Sequence, residues 1–144
     1  MSSPNSGLKY LSKDDRLATT KKGKMMYDEL KQGRGEFHPF QTQTQLFILC
    51  MAVGIIKEEK IEDEKFDEDI IRWETYSNHD PFGIFPLLVK TKYPDLDNNG
   101  VARIMERYAE AGLRILYEEF KNTGSIDFQR LIDTSAQAEG SQHY

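Results

Sequence analysis

Leu46-Phe47-Ile48-Leu49-Cys50-Met51-Ala52-Val53-Gly54-Ile55-Ile56 is apolar around the whole circumference of any helix it could form, and from Phe37 to Ile56 there is no Asp, Glu, Lys or Arg. Such a helix has no polar face to offer water, so other helices or another protein must enclose it. Ile48, Val53, Ile55 and Ile56 would also suit a strand, but the length of the run favours a helix opened by Gln41-Thr42-Gln43-Thr44. The run is too short to cross a bilayer, which takes about 20 apolar residues.

On its N-terminal side, Ser12-Lys13-Asp14-Asp15 reads as a helix start, with a hydroxyl to cap free N–H groups and carboxylates in the first turn. Leu17, Met25, Met26 and Leu30 supply the apolar stripe of that helix, and Gly33 and Gly35 stop it. On the C-terminal side, Lys57 to Asp69 is a charged surface turn leading to a helix with Ile70, Ile71 and Trp73 on its inner face. Tyr76 to Pro81 is a turn cluster. Phe82, Ile84, Phe85, Leu87, Leu88 and Val89 then form a short buried helix that admits Pro86 only in its first turn.

The longest periodic segment is Val101 to Phe120, with apolar residues near three-to-four spacing and with Arg103, Glu106, Arg107, Glu110, Arg114 and Glu118 outward. Asn122-Thr123-Gly124 ends it, and a last short helix buries Ile126, Phe128, Leu131 and Ile132. The expectation is an all-α, single compact domain of five or six helices around a central apolar helix. Residues 1–9 form a flexible N-terminus, 10–133 the helical domain and 134–144 a flexible tail.

At 144 residues and 38% hydrophobic content, the chain buries a core without needing a metal or a disulfide. Cys50, the only cysteine, lies inside the apolar run, which predicts a packed and inert thiol. Nothing from Met1 to Gly7 resembles an export signal, so a cytoplasmic protein is expected, with no membrane contact. The net charge of -5 is uneven: +3 over residues 1–36, -5 over 57–75 and -3 over 76–144. The positive arm, with Lys21, Lys22, Lys24, Lys31 and Arg34, is a candidate for phosphate or acidic-protein contact, although a solvated helix face uses the same residues.

One motif matches a ligand-binding pattern in full. Asp95, Asp97 and Asn99 alternate, Gly100 is sixth and Glu106 twelfth, as in an EF-hand loop that would add the carbonyl of Val101. Pro94 before the first ligand, Arg103 at the usual water position and the lack of a second loop oppose it, and a plain helix N-cap uses the same residues. His38, His79 and His143 lack the spacing of a zinc pair. No nucleophile elbow, phosphate-binding glycine loop or Cys-x-x-Cys occurs, and Glu58, Glu59, Glu62 and Glu64 read as a charged surface turn. No cofactor and no catalysis are expected. Phe82-Gly83-Ile84-Phe85 and Trp73 read as core; if exposed, they would anchor a protein partner.

Phe37-His38-Pro39-Phe40-Gln41-Thr42, Gln45-Leu46-Phe47 and Met51-Ala52-Val53-Gly54 resemble the apolar signature of small accessory proteins encoded with DNA phosphorothioation systems, as does Tyr108-Ala109-Glu110-Ala111-Gly112-Leu113. The resemblance covers two short blocks. It implies a non-catalytic helical accessory or adaptor protein beside DNA-modifying or antiviral defence enzymes, and it transfers no catalytic residue. The expectation is therefore docking on a protein partner in a larger complex, with DNA contact through Lys21, Lys22 and Lys24. The alternative is a calcium-binding helical module with its loop at 95–106.

Overall fold

Thr42 opens the apolar run as a helix. Its hydroxyl accepts from Gln45 N at 3.1 Å while Gln45 Oε1 accepts from Thr42 N at 3.3 Å, a reciprocal cap that satisfies two helix-end donors. Helix α2, Gln43–Lys57, follows. The computed structural model describes residues 12, 15–33, 42–127 and 129. Within them the elements run β1 (Arg16–Thr19), α1 (Lys21–Gln32), α2, β2 (Glu68–Arg72), α3 (Trp73–His79), α4 (Ile84–Lys92) and α5 (Asn98–Thr123). The expected flexible ends, 1–9 and 134–144, and Phe128, Leu131 and Ile132 of the expected last helix lie outside the described residues.

Enclosure of α2 is one-sided. Leu46, Phe47, Cys50, Met51 and Gly54 are buried on one stripe, whereas Ile48, Leu49, Val53 and Ile55 are half-buried and Ile56 is exposed. Helix α2 shares the centre with α5: α2 touches α1, α3, α5 and β2, and α5 touches α1, α2, α4 and β1. The buried residues of α5 include Val101, Met105, Ala109, Gly112, Leu113, Leu116 and Phe120. The expected apolar helix is thus central in its contacts but is not enclosed on every side. The two helices approach so closely that a Cβ on Gly54 would meet Tyr108 O at 2.1 Å. Asp97 begins α5 by accepting from Gly100 N at 2.7 Å, and Gly124 ends it in the left-handed conformation.

A two-stranded antiparallel sheet corrects the all-α expectation. Leu17 pairs with Ile71 and Ala18 with Asp69, with an irregularity between Leu17 and Ala18 that leaves Ile70 over. Gln43 Nε2 donates to the carbonyl of Ile70 at 3.2 Å, so the displaced residue still has a partner. Lys13 and Asp14 of the expected helix start lie outside the described residues; Asp15 N donates to Ser12 O, and at Arg16 the chain enters a strand instead of a helix. The helix begins later, at Thr20, whose hydroxyl accepts from Gly23 N at 2.9 Å. Likewise Ile70 and Ile71 are strand residues, and only Trp73 belongs to the helix expected there. The ribbon holds because its inner residues, Leu17 and Ile71, are buried against the helices.

Candidate interaction surface

Asp80 builds the start of α4. Its carboxylate accepts from Ile84 N at 2.8 Å and Phe85 N at 3.2 Å, and Tyr76 O–H donates to it at 2.6 Å. Burial and this carboxylate raise the Tyr76 hydroxyl far above its ordinary value. Gly83 precedes the helix at φ 62, in the left-handed region that favours glycine. Pro86 falls in the first turn, where its missing N–H is harmless, and with Val89 forms the buried face.

The other face of α4 corrects the expectation of a buried helix. Ile84, Leu87 and Leu88 are half exposed at spacings of three and four, which puts them side by side, and Phe82 just ahead of them is 72% exposed. No residue from Pro81 to Val89 carries a charge. Trp73, by contrast, is core and stacks on Tyr76 with ring centroids 4.9 Å apart. The sequence could not separate these two, because an apolar residue reads the same whether it fills a core or waits for a partner.

Beside the C-terminal end of α4 lies a chain of polar contacts. Lys60 Nζ donates to the Tyr93 hydroxyl oxygen (Oη) at 2.8 Å, the Tyr93 and Tyr108 hydroxyl oxygens are 3.5 Å apart, and Lys92 pairs with Glu58 at 3.5 Å. The Lys60 ammonium lowers the Tyr93 hydroxyl below its ordinary value. A small cavity of about 40 Å³ joins Leu88 and Val89 to Ile55, so the end of α2 meets the base of this helix.

Two carboxylates escaped sequence reasoning, which placed them on an outer face. Glu106 and Glu110 are 2% and 1% exposed. Glu106 accepts from Ala18 N at 2.6 Å and pairs with Arg103 at 3.0 Å. Burial raises its carboxyl to about 7, against the opposing pull of Arg103 and the Ala18 N–H. Glu110 accepts from the hydroxyls of Thr19 and Thr20 and from Arg114, which also forks onto Glu64 at 2.6 and 2.7 Å. Arg114 lowers the Glu64 carboxyl in turn. Together these carboxylates clasp β1 and the start of α1 to α5. The acidic segment after α2 is thereby placed: Ile61 N donates to Arg107 O, Phe66 lies under the Arg107 guanidinium at 5.5 Å, and Glu64 reaches Arg114, so it runs as a strap along α5.

The basic arm is divided. Lys21 and Lys22 are exposed in the first turn of α1 and border a cleft of about 280 Å³ with Lys65, Glu64 and Asp67. Lys24 pairs with Asp28 at 3.3 Å, and Lys31 donates to Gln43 at 3.2 Å. Arg34 lies outside the described residues, as do His38 and His143. His79 Nδ1 sits 3.0 Å from Thr75 O at the end of α3.

The calcium pattern is not assembled as a loop. Asp95 precedes α5, Asp97 caps it, and Asn99, Val101 and Glu106 are already helical, with Glu106 turned inward to Ala18. Among the described residues no group of three His, Cys, Asp or Glu is placed to hold a metal ion. Cys50 is fully buried, and burial pushes its thiol well up. No described helix is long and apolar enough to cross a membrane. Comparison of the chain with family models, curated proteins and solved structures found no match.

Proposed function

We propose that this protein is a non-catalytic adaptor that docks on a protein partner through the outer face of α4. One observation carries the reading: Phe82, Ile84, Leu87 and Leu88 are exposed in a segment free of charge, while Pro86 and Val89 form the buried face of the same helix. Contiguous exposed apolar surface of this kind marks interaction sites. The buried carboxylates, which would be the first groups to suspect of chemistry, are taken up in holding β1 and α1 in place. The resemblance to phosphorothioation-associated proteins adds the partner class, an enzyme of DNA modification or defence. The test is to purify the protein from its own cells with and without Leu87→Ser and Leu88→Ser. Loss of a co-purifying partner with an unchanged thermal midpoint supports the reading, and retention of the partner overturns it.

DNA contact is the second reading. Lys21 and Lys22 are exposed in the first turn of α1, which has no acid of its own, and although Glu110 at its cap and Glu64 and Asp67 in the cleft offset part of the charge, the two ammonium groups stand free to meet phosphate. Phosphate contact by these two would give a log–log salt slope steeper by about 2 than that of a Lys21→Gln, Lys22→Gln variant. Equal slopes would remove DNA from the proposal.

A further inference from the structure

A second surface lies beside Lys60, where residues 58–62 and α5 border an open groove of about 630 Å³. An open groove of this kind suits an extended segment laid along it more than an enclosed small molecule. Its floor is aliphatic: Ile61, Ala111 and Ile115. Its outer wall is fixed, because Ile61 N donates to the backbone of α5 at Arg107.

The charges around the groove do not cancel. Lys60 is engaged by Glu62 and Tyr93, Arg114 by Glu64 and Glu110, and Glu58 by Lys92. Glu59 and Glu118 remain, both exposed and both lining the groove, with no side-chain partner among the described residues. We infer that this groove binds a segment of a protein partner that combines lysine or arginine with aliphatic side chains. The cationic head meets Glu59 and Glu118, and its methylene stem and apolar neighbours cover Ile61, Ala111 and Ile115, which is how long basic side chains settle on apolar surface. Nucleic acid is excluded by the glutamates, which repel phosphate. A bare polyamine leaves the aliphatic floor wet.

The inference does not depend on the α4 face, and together the two surfaces would let one adaptor hold two partners. The test uses the full chain and three labelled synthetic peptides of equal length: leucine with lysine, leucine with glutamate, and serine with lysine. Fluorescence anisotropy should show binding of the leucine–lysine peptide, weakened about tenfold by Glu59→Gln with Glu118→Gln, the loss of two partly screened ion pairs. Glu74→Gln with Asp95→Asn makes the same change in net charge away from the groove and should leave affinity unchanged, as should Leu87→Ser with Leu88→Ser. Four results overturn the inference: no binding, equal binding of the leucine–glutamate or serine–lysine peptide, equal weakening by the distant charge variant, or full displacement by spermine at matched concentration. Circular dichroism of the exposed Glu59 and Glu118 variant confirms that the fold is intact.

Discussion

A Cβ placed on Gly112 would stand 1.7 Å from the carbonyl oxygen of Cys50. The contact is backbone against backbone, so no side-chain rotation relieves it, and α2 and α5 would have to move apart. Gly112→Ala is therefore expected to lose about 3 kcal/mol or more, at or beyond the upper range for overpacking. Urea unfolding, with Gly100→Ala at the looser start of α5 for comparison, checks it; an unfolding midpoint unchanged by Gly112→Ala would contradict the close crossing.

Glu106 makes stability fall as pH rises. Its carboxyl titrates near 7 in the fold against an ordinary value of 4.5, so the folded state holds the proton more tightly than the unfolded chain does. The stabilisation is complete below about pH 4.5 and is lost as pH climbs through about 7, a change of about 3 kcal/mol for this one group. Glu106→Gln keeps an acceptor for Ala18 N–H and should flatten that part of the stability–pH curve. An undiminished slope in the variant would show that another group is responsible.

Removal of the Glu110 side chain strands its donors. Thr19 and Thr20 hydroxyls and one arm of Arg114 lose their acceptor in a site closed to water, with an expected loss of about 3 kcal/mol for Glu110→Ala. Hydrogen exchange should quicken first in β1 and the start of α1. Faster exchange confined to α4 would refute the clasp.

At the end of α2, Glu58 adopts φ 54, a left-handed conformation that suits glycine. Its ion pair with Lys92 is exposed and worth little. Glu58→Gly should therefore raise stability, by about 1 kcal/mol. Thermal unfolding reads the sign directly.

Asp80→Ala should loosen α4 and the adjoining end of α3. Two N–H groups and the Tyr76 hydroxyl lose one acceptor, and helix caps of this type contribute about 1 kcal/mol. Exchange at residues 84–92 should accelerate while β1 and the centre of α5 stay protected.

Much of the helical architecture was legible in the residues. Thr42 with Gln45, Asp97 before α5, and Gly124 after it are local signals, and each does in the fold what its chemistry suggests. The ribbon was not legible, because Arg16 to Thr19 and Glu68 to Arg72 become strands only through each other and through the helices beneath. Nor was the inward turn of Glu106 and Glu110. Their partners lie about 90 residues earlier in the chain, and glutamate on a periodic helix reads as solvent-facing by default. The α4 face was visible as apolar sequence, but its exposure is a property of the assembled domain.

The clasp between Ala18 and Glu106 spans 88 residues of chain. During synthesis β1 emerges before the carboxylates that fasten it have been made. At about 5–20 residues per second, that is a wait of roughly 4–18 s. Through that interval the Ala18 N–H has no Glu106 carboxylate to bond, so β1 cannot take its final anchorage until that part of α5 exists.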